Sequence, residues 1–387
     1  MAQAFPPVLV MNIEKLVYGG DGLARVDGRV VLTPFVLPGE AVHAEVSRAK
    51  NDLLRGKLTS VVEASPQRVA PLCPYFYRCG GCQYQHASYD YQLEQKRLIL
   101  REVLRRVGKI DYQGEIGVIA GEPWEYRNRS QLHIENGAIG YFEAGSHKLC
   151  AIDHCPISSP RLNQAIAQLA RELPRYRGFR AGVELFTNET DLQVNLLDRV
   201  PASVLRLFQE LGTLEAITYG PSRVSPRSFF QVNRFLIDQL VNEVIGNAPG
   251  DFALDLYAGV GLFTARLSQR FASVVAVESS GSAFRDLEMN MNGRARVERK
   301  SAEEYLPSLG KAPGLIVADP PRAGLGKMIT GELIRLRAAA LTIVSCDPAT
   351  LARDLAPLLA SGYHTAKVTL VDLFPQTYHI ETVVHLI

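Results

Sequence analysis

Ala253-Leu254-Asp255-Leu256-Tyr257-Ala258-Gly259-Val260-Gly261-Leu262-Phe263-Thr264 begins as a short apolar strand and runs into a glycine-bearing turn that opens a helix. Five further apolar or β-branched runs follow, at 274–277, 315–318, 342–345, 366–370 and 380–386, separated by stretches with helical periodicity. Strands alternating with helices predict an α/β domain over 225–387, a parallel sheet covered by helices on both faces. Asn233 is expected to cap its leading helix, which Gly246 ends.

The turn also points to a ligand. Gly259 and Gly261 let a small molecule approach the backbone at the carboxyl edge of the sheet, and Glu278 closes the next strand 19 residues past Gly259, where a ribose-binding acid is expected. Thr264 takes the place of the third glycine of a dinucleotide fingerprint, so a pyrophosphate is not required. S-adenosylmethionine, with a ribose and no phosphate, fits better than NAD. Two later strands end in Asp319-Pro320-Pro321-Arg322 and in Ser345-Cys346-Asp347-Pro348. Methylases of exocyclic amines often carry an aromatic residue where Arg322 stands, so carbon is the better acceptor. Cys346, at a strand-to-helix turn, is expected to meet backbone N–H groups and a helix dipole that favour the nucleophilic thiolate.

The preceding chain reads differently. Within 1–66, short strands are divided by Gly19-Gly20-Asp21-Gly22, Asp27-Gly28 and Pro38-Gly39, the pattern of a small β-barrel, with Arg48, Lys50, Arg55 and Lys57 as a basic face. Cys73, Cys79 and Cys82 crowd into ten residues, and Cys155 offers a fourth thiol with Cys150 and His154 as rivals, so zinc and an iron–sulfur cluster both remain open. An amphipathic helix over 88–108 and helices near 161–173 and 202–211 follow from apolar spacing. Arg127 and Arg129, read as alternating outward beside Trp124 and Tyr126, suit RNA. With 47% apolar residues, a net charge of +2 over 387 residues and no apolar run long enough to span a bilayer, the chain reads as a soluble, unexported, cytoplasmic protein without a membrane partner.

Together, Cys73, Cys79, Cys82 and Cys155, Ser228-Phe229-Phe230-Gln231-Val232-Asn233, the 255–263 turn, Asp319-Pro320-Pro321-Arg322, Ser345-Cys346-Asp347-Pro348 and Phe374-Pro375-Gln376-Thr377 with His379-Ile380-Glu381 resemble the RNA 5-methyluridine methyltransferase family. The likeness is to members with an N-terminal TRAM barrel and a [4Fe-4S] cluster. It implies an OB-like TRAM barrel (1–66), a central α+β iron–sulfur domain (67–87 and 109–224), a helix packed on the methyltransferase domain (88–108) and a class I, Rossmann-like methyltransferase domain (225–387). It also implies that Cys73, Cys79, Cys82 and Cys155 hold the cluster and that Gln231, Tyr257, Gly259, Gly261, Glu278, Ser301 and Asp319 form the S-adenosylmethionine site. Cys346 is then the nucleophile, Glu381 the base, and Phe229, Arg127 and Arg322 the RNA contacts of a monomer acting on ribosomal RNA. A tRNA substrate would use the same catalytic residues. A non-catalytic iron–sulfur RNA-binding protein would not need Cys346 and Glu381.

Overall fold

The computed structural model describes residues 8–48, 53–248 and 250–387. It divides into two compact units, one of residues through Ile99 with 142–150 and 374–379, the other of 100–141, 151–373 and 380–387. Lys50 lies outside the described residues.

In the first unit six strands, β1 (Val8–Asn12), β2 (Lys15–Leu16), β3 (Asp21–Val26), β4 (Arg29–Pro34), β5 (Ala41–Arg48) and β6 (Leu54–Glu63), form one sheet in the order β1-β5-β6-β4-β3-β2. The sheet wraps a core of Met11, Ile13, Ala24, Val31, Val36, Val42, Ala44 and Leu54. Asp27 and Gly28, both at positive φ, make the tight β3–β4 hairpin that their pairing predicts. Glu40 is fully buried, and its carboxylate accepts from Leu37 N–H at 2.8 Å and Ser65 N–H at 3.2 Å while pairing with Arg68. Burial opposes ionisation, yet these donors hold its carboxyl below the usual range.

Helix α1 (Tyr89–Val107) passes from the first unit into the second. Its closing Gly108 lies so near helix α9, described below, that a Cβ would stand 2.6 Å from Ala352 O. Next come β7 (Ile116–Ile119), β8 (Arg129–Glu135), β9 (Ala138–Phe142), β10 (Leu149–Ala151), α2 (Pro160–Glu172), β11 (Arg180–Thr187), β12 (Leu192–Leu196), α3 (Ala202–Leu211), β13 (Ile217–Tyr219) and β14 (Ser222–Val224). Strands β9, β8, β11 and β12 lie side by side and antiparallel.

The remaining elements are α4 (Ile237–Ile245), β15 (Phe252–Leu256), α5 (Leu262–Leu267), β16 (Ser273–Val277), α6 (Gly281–Met291), β17 (Arg296–Glu298), α7 (Ala302–Tyr305), β18 (Leu315–Ala318), α8 (Gly326–Leu336), β19 (Ala340–Ser345), α9 (Pro348–Ala360), β20 (Thr365–Val371) and β21 (Glu381–Leu386). They build a sheet ordered β17-β16-β15-β18-β19-β21-β20-β7. Strands β18 and β19 are buried along their whole length, which is why they read as unbroken apolar runs.

Two readings need correction and one strand was missed. The sheet is not wholly parallel: β21 runs antiparallel to both neighbours, because the short link from β20 allows a return only in the opposite sense. Strand β7, interrupted by Gly117, was not legible as a strand, and it exists by pairing in parallel with β20. Asn233 does not cap α4; it is fully buried, donates to Leu373 O at 3.2 Å and accepts from Phe235 N–H at 3.1 Å in the preceding turn. Among the described residues no helix is long and apolar enough to cross a membrane.

Candidate active site

Register carries four chemically distinct side chains to one edge of the large sheet. Leu256 pairs with Val277 on one side and Ala318 on the other, and Ala318 pairs with Ile343. The residues that leave these strands are Tyr257, Glu278 and Asp319, with Cys346 following β19. Strand order reverses between β15 and β18, where open α/β sheets leave a ligand crevice. A pocket opens there, lined by Phe229, Gln231, Tyr257, Gly259, Leu262 and Asp319 among others.

The turn is shaped for a ligand. Nothing lies within 4 Å of the point a Gly259 Cβ would occupy, so its backbone is approachable; at Gly261 a Cβ would meet Leu287 Cδ1 at 2.8 Å. Both glycines, and Tyr257 at φ 61°, are in the left-handed region, a strained conformation for tyrosine of the kind found at ligand-binding turns. Gly259 N–H donates to Glu278 Oε2 at 2.9 Å and Ser280 N–H to Oε1 at 2.6 Å. Each oxygen keeps capacity for a further donor, as ribose hydroxyls require.

Beneath the turn, Asp255 is fully buried and accepts from Thr264 Oγ1 at 2.5 Å. Burial, opposed by that bond, with a further contribution from Asp319, pushes its carboxyl up from 3.8 to about 7. A carboxyl raised on folding stabilises the fold fully below its unfolded value, and that contribution is lost as pH rises through the folded value. Asp255→Asn, which keeps an acceptor for Thr264, should therefore gain stability relative to the parent between pH 4 and 7, by at most about 1.4 kcal/mol per pH unit. Denaturant unfolding across that range checks this; a stability difference independent of pH would contradict it.

The segment before α4 supplies the other wall. Phe230 is buried against Phe186, Ile217, Val224 and Val260, whereas Phe229 is 61% exposed at the pocket, so only Phe229 is placed to stack on a base. Gln231 is buried and lines the same pocket.

Cys346 and Glu381 meet across β19 and β21. Ser345 pairs with Thr382 at the end of the ladder, so Cys346, one residue past β19, and Glu381, the first residue of β21, lie at the same end of the strand pair, close enough to interact electrostatically. The thiol is half-buried and Glu381 is buried. Burial, then Glu381, push the thiol up to about 11, while Arg322 acts in the opposite direction and Asp319 with the rise. Glu381 is itself raised, first by burial and then by Asp319, again against Arg322. The expected thiolate-favouring helix end is thus corrected: burial and Glu381 prevail, and the first N–H groups of α9 are occupied by the Asp347 carboxylate, which accepts from Ala349 and Thr350 N–H at 2.9 Å.

Other expected residues take different places. Ser301 completes a capping box with Glu304 on α7 and does not line the pocket. Arg129 does not alternate outward: it is buried, donates to Ser228 O at 2.8 Å, pairs with Glu184 at 3.2 Å and lies over Phe186. Arg127 is half-buried and donates to Arg129 O at 2.8 Å, and Tyr126 is fully buried, so this stretch is largely internal. Cys73, Cys79 and Cys82 belong to the first unit and Cys155 to the second. Among the described residues no three histidine, cysteine or acidic side chains are gathered closely enough to hold a metal ion. Asp354 was missed: 4% exposed on α9, it accepts from Leu325 N–H at 2.7 Å and Gly326 N–H at 3.3 Å, fixing the loop that carries Arg322. An acid amid the apolar periodicity of Leu351, Leu355 and Leu358 was the available signal.

A crevice at the strand-order reversal, a ribose-type acid beyond a two-glycine turn and a reversed last strand define an S-adenosylmethionine-dependent methyltransferase. Residues 221–387 match the family model tRNA (Uracil-5-)-methyltransferase and residues 8–59 the TRAM domain, an RNA-binding module. An uncharacterized RNA methyltransferase of Aquifex aeolicus is 33% identical over 97% of each chain. The 23S rRNA (uracil(1939)-C(5))-methyltransferase RlmD of Shewanella amazonensis is 31% identical over 96% of this chain and 94% of its own. The crystal structure of Pyrococcus abyssi tRNA (uracil-54, C5)-methyltransferase with S-adenosyl-L-homocysteine superposes with a TM-score of 0.78 at 26% identity, over 97% of this chain and 99% of that one. The chain belongs to the RNA uracil-5-methyltransferase family, and its cofactor is S-adenosylmethionine.

Proposed function

We propose that the protein methylates carbon 5 of a uridine in 23S ribosomal RNA through a covalent bond between Cys346 and carbon 6. The observation that carries this is that Cys346 and Glu381 lie at one end of the β19–β21 pair, each within electrostatic reach of Asp319 and Arg322. Carbon 5 of uracil is a poor nucleophile. Addition of the Cys346 thiolate, its proton having been released to solvent, to carbon 6 moves the 5,6 electron pair onto carbon 5 and, by conjugation, onto the carbon 4 oxygen. Bound S-adenosylmethionine supplies the methyl group that carbon 5 then takes. Glu381 accepts the proton left on carbon 5, the double bond re-forms, and the sulfur departs with its electron pair. Gln231, Tyr257, Gly259, Gly261, Glu278 and Asp319 line or border the cofactor pocket, and Phe229 is exposed to stack the target base.

Ribosomal RNA is favoured by the near full-length likeness to the Shewanella enzyme, and tRNA by the Pyrococcus structure. Purified protein given labelled cofactor with 23S ribosomal RNA and tRNA from a deletion strain should place 5-methyluridine in the ribosomal RNA. Label confined to tRNA would overturn the substrate, and no labelled 5-methyluridine in either would overturn the reaction.

Cys73, Cys79 and Cys82 would hold a [4Fe-4S] cluster, with Cys155 as fourth ligand on the resemblance alone. Three thiols in one segment suit a thiolate-bound metal, iron being chosen over zinc on the resemblance, and Gly81 N–H donates to Cys79 Sγ at 3.4 Å, a bond that stabilises a thiolate ligand. Metal–thiolate bonds themselves gather such ligands. The cluster would stabilise the fold and supplies no electrons to the reaction. Anaerobically purified protein should contain about four irons and four sulfides per chain, lost in Cys155→Ala and kept in Cys150→Ala; stoichiometric zinc would contradict it.

A further inference from the structure

We propose that helix α6 sets the width of the cofactor pocket, with Asp286 and Asn290 as positioning residues that fasten its two walls to one rod. The inference rests on reading that pocket as the S-adenosylmethionine site. One wall is the 225–231 segment bearing Phe229 and Gln231, and the other is the turn of Tyr257 to Gly261. No strand ladder joins the two among the described residues; they share the apolar cluster of Phe230 and Val260, which has no fixed hydrogen-bond direction to set their spacing.

Asp286 is 1% exposed, and its carboxylate accepts from Ser225 N–H, Ser225 Oγ and Ser228 Oγ, each at 2.7 Å, with Arg223 Nε at 3.4 Å. Ser228 Oγ also lies 2.8 Å from Ser282 Oγ, one turn back on the same helix. These bonds grip the chain immediately before Phe229. One helical turn onward, Asn290 donates to Val260 O at 2.8 Å, inside the glycine turn, and to Arg223 O at 3.0 Å, and accepts from Arg223 N–H at 2.8 Å. Leu287 and Met291 back Gly261 so closely that a Cβ there would stand 2.8 Å from the Leu287 side chain.

A buried carboxylate facing a half-exposed arginine is a poor means of attachment alone, since Ala283, Leu287 and Met291 already bury an apolar face. Hydrogen bonds with fixed directions do what apolar packing cannot: they define the separation of two loops from one helix. Asp286 and Asn290 thus act on cofactor affinity through Gln231 and the glycine turn without touching the cofactor.

The test is calorimetric binding of S-adenosylhomocysteine, with kcat and KM for S-adenosylmethionine, in the full-length protein. Asp286→Asn should weaken binding about tenfold and raise KM to match, while kcat at saturation falls less than about threefold. Ser228→Ala should weaken binding roughly threefold, and the double variant should be no weaker than Asp286→Asn, because both remove one linkage. A merely structural role would lower the melting temperature and leave KM alone, and that result would overturn the proposal. Should Asp286→Asn not fold, Ser228→Ala and Asn290→Ser carry the test with the same criterion. Glu278→Gln separates the two readings: if it leaves binding unchanged, the pocket assignment fails; if it weakens binding while the clamp variants do not, the clamp fails.

Discussion

Cys346→Ala should abolish uridine methylation, lowering kcat/KM on the order of 10⁴-fold or more, with cofactor affinity and melting temperature close to those of the parent. The size follows from the chemistry: without a sulfur at carbon 6, no electron pair is released to carbon 5. The half-buried position of the thiol, at a helix start rather than in a core layer, is why the fold should tolerate its loss. Its proton matters too. Raised to about 11 by burial and by Glu381, the thiol is largely un-ionised in the free protein, so alkylation by iodoacetamide should be slow near neutral pH and climb with pH well past the usual cysteine range. The proton must therefore leave before or as the sulfur adds to carbon 6. Steady-state methylation of labelled RNA checks the main effect, and retention of more than about a hundredth of parental activity would remove Cys346 from the nucleophile's place.

Glu381→Gln should give the second-largest effect and a different signature. Loss of a general base slows turnover by roughly 10²- to 10⁴-fold. The slowed step comes after methyl transfer, so protein joined to methylated RNA should accumulate with ordinary uridine substrates, as a slow-migrating band on a denaturing gel. Normal turnover without a band would dismiss the assignment. Burial, then Asp319, raise this carboxyl against Arg322, which strengthens it as a proton acceptor.

Much of this site was legible because its residues leave strands at one edge. The runs ending at Leu256, Val277, Ala318 and Ser345 are apolar and short, and parallel register then aligns whatever follows them: Tyr257, Glu278, Asp319 and Cys346. What escaped was decided by tertiary contacts. Arg129 looks like an outward cation on an alternating strand, but Glu184 and the face of Phe186 make its burial tolerable. Phe229 and Phe230 are interchangeable as letters, and only the cluster around Phe186 and Val260 separates the core ring from the exposed one. The thiolate expectation failed because burial of the thiol and the nearby Glu381 carboxyl, neither visible from the local strand-to-helix turn, outweigh the helix end. Strand β7 has too few residues to announce itself without β20 beside it.

The most direct measurement is trapping with 5-fluorouridine-substituted ribosomal RNA and S-adenosylmethionine, followed by mass analysis of the linked peptide. Fluorine at carbon 5 cannot be abstracted as a proton, so the adduct should persist, map to Cys346, require the cofactor and vanish in Cys346→Ala. A stable adduct on any other residue, or trapping undiminished in that variant, would contradict a mechanism built on this thiol.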